Sequence, residues 1–118
     1  MEEQFCIGEA LSSLPEEDIL IIGSGSTVHN LATLKGDARE PESWAVEFDD
    51  WLIDKVEHAS LEELYNYQTL APHVRLAVPR EEHIVPLFIA MGSGQTETKK
   101  LLHRSYAYGT LTYLGFEF

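Results

Sequence analysis

The sequence predicts an α/β fold, with a mixed sheet flanked by helices, in a single domain of residues 1–118. The aliphatic run at residues 18–22 is followed by Gly23, a pattern typical of a strand buried on both faces. Two further runs, at residues 101–109 and 110–118, are rich in β-forming residues and predict paired strands. A domain of this length buries roughly two thirds of the surface that its unfolded chain exposes, which is enough for one hydrophobic core.

Apolar residues recur at helical spacing in the rest of the chain. They predict helices at residues 3–14, 44–57, 61–67 and 81–91. We expect Pro15 to close the first helix and Gly92 to end the last, with Pro86 in the first turn of that helix or kinking it. Ser43 or the residues before it would cap the second helix, and Ser60 with Glu63 would form a capping box for the third. The intervening residues 35–43 and 70–80 are expected to be loops.

The charge balance excludes some partners. Twenty acidic residues against eight basic ones give a formal net charge of -12, which disfavours nucleic acid and anionic membrane surfaces. No apolar run reaches the roughly 18 residues of a membrane span, and the N-terminal MEEQF lacks the basic residues of a signal peptide. The single cysteine, Cys6, has no partner for an internal disulfide. These features predict a cytoplasmic location, with Cys6 as a buried apolar residue.

The stretch ILIIGSGSTVHN, residues 19–30, carries a glycine-serine turn that matches none of three known motifs. A dinucleotide fingerprint needs a third glycine where Val28 stands, a P-loop needs Gly-Lys-Ser/Thr, and a nucleophile elbow needs Gly-x-Ser-x-Gly. Small residues still allow a sharp turn and the close approach of a substrate. Open α/β sheets bind ligands at the carboxyl ends of their strands. His29 is therefore either a structural residue of the turn or a catalytic acid or base. A weaker hypothesis is a hydrolase that uses Ser24 or Ser26 as its nucleophile.

His83 is the second candidate. It follows two glutamates at a predicted helix start, where its ring can face a cleft while Glu82 orients the other nitrogen. A zinc or iron centre needs about three protein ligands, and the spacing of the histidines matches no compact motif such as HExxH. His58 and His103 are expected to be structural or solvated, whereas the role of the loop residue His73 stays open. The acidic residues of the helix at 44–57 are expected to form a solvated face.

Two motifs in the same order carry a family resemblance. GSGSTVHNL, followed by PHVRLAVPREEHIVPLFIAMGSG and closed by SYAYGTLTYLGFEF, resembles the C-terminal half of the class III extradiol ring-cleavage dioxygenases. This is the LigB-like superfamily, in the branch of the 4,5-DOPA extradiol dioxygenases. The resemblance covers nearly the whole chain.

The resemblance implies an enzyme that opens a catechol-type ring with O2 at a non-haem metal, Fe(2+) or Zn(2+). It implies that His29 lines the active site as a candidate acid or base and that His83 is a metal ligand. Five further residues are expected in the substrate cleft or around the ligands: Ser24, Gly25, Asn30, His73 and Glu82.

The chain departs from the family in length. Members run to about twice this length, their other two metal histidines lie in the N-terminal half, and Val78-Pro79-Arg80 stands where many have His-Pro-Thr. We therefore expect activity only together with an N-terminal half, the alternative being a non-catalytic remnant or binding module on the same scaffold. Loss of half a sheet exposes apolar surface, which predicts a homo-oligomer, with a dimer favoured.

Overall fold

A computed structural model describes residues 1–94 and 99–118. Its helices and strands, in chain order, are α1 (Glu2–Glu9), α2 (Ser43–Glu57), α3 (Leu61–Tyr65), α4 (Tyr67–Leu70), α5 (Val74–Ala77), α6 (Val85–Ser93), β1 (Lys100–Ala107) and β2 (Leu111–Glu117). Short 3-10 turns lie at Leu14–Glu17, Leu31–Thr33 and Glu81–His83.

The core forms around α2 and α6. On α2 the buried apolar residues Ala45, Phe48, Leu52 and Val56 follow one another at intervals of three or four, which places them on one face of the helix. That helix contacts α3, α5 and both strands. Phe88 and Met91 add the buried face of α6. The helical period of the sequence thus predicted α2 correctly.

Helices α1 and α6 pack at backbone distance through two glycines. A Cβ atom at Gly8 would overlap the carbonyl oxygen of Ile89, and one at Gly92 would overlap that of Phe5. The prediction that Gly92 ends its helix is therefore wrong, because α6 continues to Ser93 and Gly92 serves helix packing. The burial predicted for Cys6 is also wrong, since its side chain is exposed on α1.

The two C-terminal strands form an antiparallel hairpin, which confirms their prediction. The register runs from Ala107 opposite Leu111 to Lys100 opposite Glu117, with one irregularity between Leu101 and His103. The turn places Tyr108 and Gly109 at φ values of 53° and 73°, as a type I′ turn requires at both central positions.

The strand predicted at residues 18–22 is not formed. Leu20 and Ile22 are 81% and 77% exposed. Among residues 1–94 and 99–118, no main-chain carbonyl accepts a hydrogen bond from the amides of residues 20–25. A buried strand needs neighbouring strands on its edges, and the sheet that the structure describes consists of β1 and β2 alone.

Other predicted boundaries also shifted. The first helix ends at Glu9 rather than residue 14, and Pro15 instead lies at the start of the 3-10 turn Leu14–Glu17. The segments predicted as helices at 61–67 and 81–91 are each divided in two, the latter into the turn Glu81–His83 and α6. Pro86 lies in the first turn of α6, where its missing N–H costs no hydrogen bond.

Side-chain capping was predicted wrongly. Ser60 precedes α3 but makes no side-chain cap, and Glu63 binds the Lys55 ammonium at 2.9 Å instead. Ser43 is the first residue of α2 and caps nothing, since this helix start has no side-chain cap and the amides of Ala45 and Val46 donate to the main-chain carbonyl of Glu42. The region predicted as irregular at residues 70–80 contains the helical turn α5.

Candidate functional site

The rings of His29 and His83 are in contact. Their centroids are 3.7 Å apart and their planes meet at 35°. Both rings are half-buried, so one side of the pair faces solvent. The structure therefore brings together the two histidines that the sequence singled out from segments 54 residues apart.

The backbone around the glycine-serine turn explains this contact. The amide of Ser26 donates a 2.9 Å hydrogen bond to the carbonyl of His83, and the amide of His29 donates one of 3.0 Å to Ala77. A Cβ atom at Gly25 would overlap the same His83 carbonyl oxygen. The close approach predicted for this glycine is made by the segment that carries His83, and it sets the distance between the two histidines.

The ring nitrogens of the pair are free of hydrogen bonds from the part of the chain that the structure describes. The nearest carboxylate oxygen, Glu82 Oε1, lies 4.0 Å from His83 Nε2, which is too long for a hydrogen bond. Glu82 instead lies 3.5 Å from the Arg80 guanidinium. The predicted orientation of His83 by Glu82 is therefore not formed, and both imidazoles keep nitrogens available for a ligand or a proton.

Two of the other predicted cleft residues, Asn30 and His73, have structural partners. Asn30 Nδ2 donates to the carbonyl of Leu76 at 2.9 Å, and its Oδ1 accepts the amide of Ala32 at 3.1 Å, so Asn30 caps the following 3-10 turn. His73 Nε2 lies 2.8 Å from Glu47 Oε2, which links α5 to α2. Ser24 is exposed.

The hydrolase hypothesis finds no support in these contacts. Ser26 Oγ lies 3.0 Å from the carbonyl oxygen of Val28 and 2.9 Å from that of Thr112. Its single hydroxyl proton therefore goes to the main chain rather than to His29, which would have to act as its base.

His58 and His103 lie outside the pair. His58 Nδ1 is 2.8 Å from the carbonyl oxygen of Asp54, and His103 Nε2 is 2.7 Å from Ser105 Oγ. Both contacts are exposed. This agrees with the structural or solvated role predicted for these two residues.

A groove of about 670 Å³ runs beside the histidine pair, with His83 and Gly25 in its wall. The aliphatic residues 19–22, Leu87 and Ala90 of α6, and the C-terminal hairpin line it. The hairpin and the residue after it contribute Leu102, Leu114, Phe116 and Phe118. This groove is mostly apolar, and it borders residues 20–25, whose amides have no main-chain acceptor in the described part of the chain.

One buried acid was not predicted. The acidic residues of α2 were expected on a solvated face, but the Asp49 side chain is 0% exposed. Burial raises the pKa of Asp49 to about 6, although the hydroxyls of Tyr106 and Thr112 and the charge of Arg104 oppose the rise. The only sequence signal is its position, because Asp49 lies between Phe48 and Leu52 on the buried face of α2.

The described residues do not complete a metal centre. Within residues 1–94 and 99–118, no group of three His, Cys, Asp or Glu side chains is placed to hold one ion. His29, His73 and His83 therefore do not converge here. A non-haem iron or zinc site needs about three protein ligands, so the donor set of this chain does not fit such a centre by itself.

The chain belongs to the LigB family, described as the catalytic LigB subunit of aromatic ring-opening dioxygenase, whose model matches residues 1–117. The family resemblance of the two histidine motifs is thereby confirmed.

Curated relatives carry a more specific name. The chain is 40% identical to "4,5-DOPA dioxygenase extradiol" of Portulaca grandiflora, an alignment that covers 97% of this chain and 43% of the relative. It is 40% identical to the protein of that name in Beta vulgaris, over 95% of this chain and 42% of the relative. The chain thus spans less than half the length of these relatives.

A solved structure confirms the predicted α/β fold class. The crystal structure of an uncharacterized Escherichia coli K12 protein matches with a TM-score of 0.82 and 27% identity. The match covers 96% of this chain and 48% of that protein. In the described part of the chain, no helix has the length and apolar character needed to cross a bilayer.

Proposed function

We propose that this chain supplies one part of an extradiol dioxygenase site that opens a catechol-type ring with O2. The contact between His29 and His83 carries the proposal, because it joins the acid or base candidate to the metal-ligand candidate. Membership of the LigB family and the names of the curated relatives support the same reaction.

In this proposal His83 is one protein ligand of Fe(2+) or Zn(2+), and the other ligands come from a segment outside the 118 residues. The described residues provide no third donor beside the histidine pair. His29 exchanges a proton with a hydroxyl of the aromatic diol at a free ring nitrogen, a task suited to imidazole near neutral pH. The half-buried ring contact limits how far His29 can turn away from the diol.

We propose that the missing ligands arrive with the part of the relatives that this chain does not match. Ile19, Leu20 and Ile22 are exposed, and the amides of residues 20–25 have no main-chain acceptor among the described residues. Both features support this, because together they offer an open edge to an added strand. A strand that docks there would cover the groove beside His83. A second copy of this chain is the other occupant of that edge and would give a homodimer.

A second candidate function is a non-catalytic module that retains the scaffold. The incomplete ligand set of the described residues favours it for the chain by itself. A cytoplasmic location without nucleic-acid or membrane partners fits either function, given the net charge of -12.

The experiment is reconstitution. The 118-residue chain is mixed with the unmatched part of the Portulaca grandiflora relative, loaded anaerobically with Fe(2+), and given DOPA and O2. We expect ring cleavage only in the mixture, and absorbance measures it. His83→Ala should remove metal binding, His29→Ala should leave metal bound but stop turnover, and the exposed control His58→Ala should change neither.

The outcomes separate the two functions. The chain without its complement is expected to bind Fe(2+) no more tightly than a single surface imidazole. Metal binding by the mixture without ring cleavage would favour the non-catalytic module. Ring cleavage that survives His83→Ala would refute the role assigned to His83.

A further inference from the structure

A buried carboxyl lies behind the turn that carries His29. Asp49 on α2 is fully buried, and its Oδ2 atom has no hydrogen-bond partner among residues 1–94 and 99–118. Its Oδ1 atom accepts a hydrogen bond of 3.3 Å from the hydroxyl of Thr27, itself buried. The mechanism proposed for the histidine pair does not use Asp49.

Four side chains from three segments face this carboxyl: Thr27 from the turn, Arg104 and Tyr106 from β1, and Thr112 from β2. Arg104 Nε lies 3.8 Å from Asp49 Oδ2, but Arg104 Nη1 is bonded to Asp50 at 2.6 Å. Arg104 Nε also donates to the Tyr106 hydroxyl at 2.7 Å. Arg104, the cation that faces Asp49 among the described residues, is therefore already engaged by other groups, so the buried charge is weakly compensated.

The turn before His29 is held from this side as well as from the segment that carries His83. Thr27 and Val28 are buried, and the carbonyl of Val28 accepts the amide of Thr112 at 3.3 Å. The carboxyl of Asp49 holds the Thr27 side chain, two residues before His29. A shift at Thr27 must move Val28 and His29, because the buried backbone between them has little room to absorb it.

We propose that Asp49 is a positioning residue for His29 and that its protonation state sets how the turn at residues 26–29 lies relative to His83. The proposal relies on the proposed function only for the task of His29.

Protonation changes the hydrogen bonds available to this carboxyl. The ionised form only accepts, whereas the protonated form can also donate. The Thr112 hydroxyl faces Asp49, so it can donate toward the ionised carboxyl and accept from the protonated one. Burial raises the pKa of Asp49 to about 6, so this exchange takes place in weakly acidic solution.

The test uses NMR of the whole chain, so its result does not depend on turnover. The ¹³C resonance of the Asp49 carboxyl and the methyl resonances of Thr27 and Val28 are followed from pH 4.5 to 8. A His29→Gln/His83→Gln background removes both imidazoles from the measurement. We expect all three residues to show one step with a midpoint near 6.

Substitutions identify the source of that step. Asp49→Asn keeps an acceptor for Thr27 but cannot titrate, and should abolish the step in both methyl groups. Glu57→Gln, at the far end of α2, should retain it. With both histidines present at pH 8, Asp49→Asn and Thr27→Val should each change the intensity of the contact signal between the His29 and His83 rings.

Several results would overturn the proposal. If the Asp49 carboxyl stays ionised down to pH 4.5, the proposal is refuted without any substitution of that residue. If the pH-dependent step in the methyl resonances persists in Asp49→Asn, the step arises from another group. Ring contacts unchanged by Thr27→Val would show that the turn does not transmit the state of Asp49, whether or not Asp49→Asn folds.

Discussion

Gly25 lies directly against the main-chain carbonyl of His83, with no room for a Cβ atom between them. The neighbouring amide of Ser26 donates a 2.9 Å hydrogen bond to that same carbonyl. The two segments that carry the histidine pair are thus joined through their backbones, and the imidazole contact at 3.7 Å depends on this joint.

Gly25→Ala is expected to separate the two rings. The added methyl group would overlap the His83 carbonyl and force one segment to move, at a cost of about 1–3 kcal/mol in the free energy of unfolding. NMR contacts between the rings and chemical denaturation measure both effects. The control is Gly36→Ala, because a Cβ atom at Gly36 meets nothing within 4 Å. Equal behaviour of the two variants would contradict the role given to Gly25.

Gly92→Ala is expected to loosen α1 from α6. A methyl group at residue 92 would overlap the carbonyl of Phe5, and a helix displaced from its partner exposes its amides. Hydrogen exchange should therefore accelerate in Glu2–Glu9 while α2 keeps its protection. Unchanged exchange in α1 would show that the two helices can separate slightly without loss of stability.

Asp49→Asn is expected to change how stability depends on pH. The pKa of Asp49 is raised from 3.8 to about 6, so the folded state binds this proton more tightly than the unfolded state does. The resulting stabilisation is complete below about pH 3.8 and is lost as pH rises through 6, a total of about 3 kcal/mol.

The measurement is the difference in the free energy of unfolding between the natural chain and Asp49→Asn at pH 4.5 and 7.5. The natural chain should lose stability relative to the variant as pH rises. Glu57→Gln, on the exposed end of the same helix, serves as control and should follow the natural chain. A difference that does not change with pH would show that Asp49 is ionised throughout.

Leu20→Ser/Ile22→Ser is expected to weaken self-association of the chain. These side chains are 81% and 77% exposed, and burying an aliphatic side chain contributes about 1.5–3 kcal/mol. Loss of both should raise the dissociation constant of a dimer about 10-fold or more. Light scattering and sedimentation at micromolar concentration measure this, with Leu31→Ser, 61% exposed, as control. A natural chain that stays monomeric would refute the predicted homo-oligomer.

The sequence by itself determined the elements whose signals are local. The apolar period of α2 and the hairpin of β1 and β2 were predicted because each depends on residues a few positions apart. The importance of His29 and His83 also came from the sequence, through the motifs that surround them. The family comparison confirms those motifs, whereas the roles of the two histidines stay predictions.

Tertiary structure decided what depends on distant partners. The run at residues 18–22 has the composition of a buried strand, but a strand forms only where neighbouring strands accept its hydrogen bonds, and the described sheet offers none. Asp49 and Asp50 are adjacent acids on one helix, yet only the packing of the hairpin and the turn buries the first and leaves the second exposed. The contact between His29 and His83 likewise follows from the fit of Gly25 against a carbonyl 58 residues away, a steric relationship that no local pattern encodes.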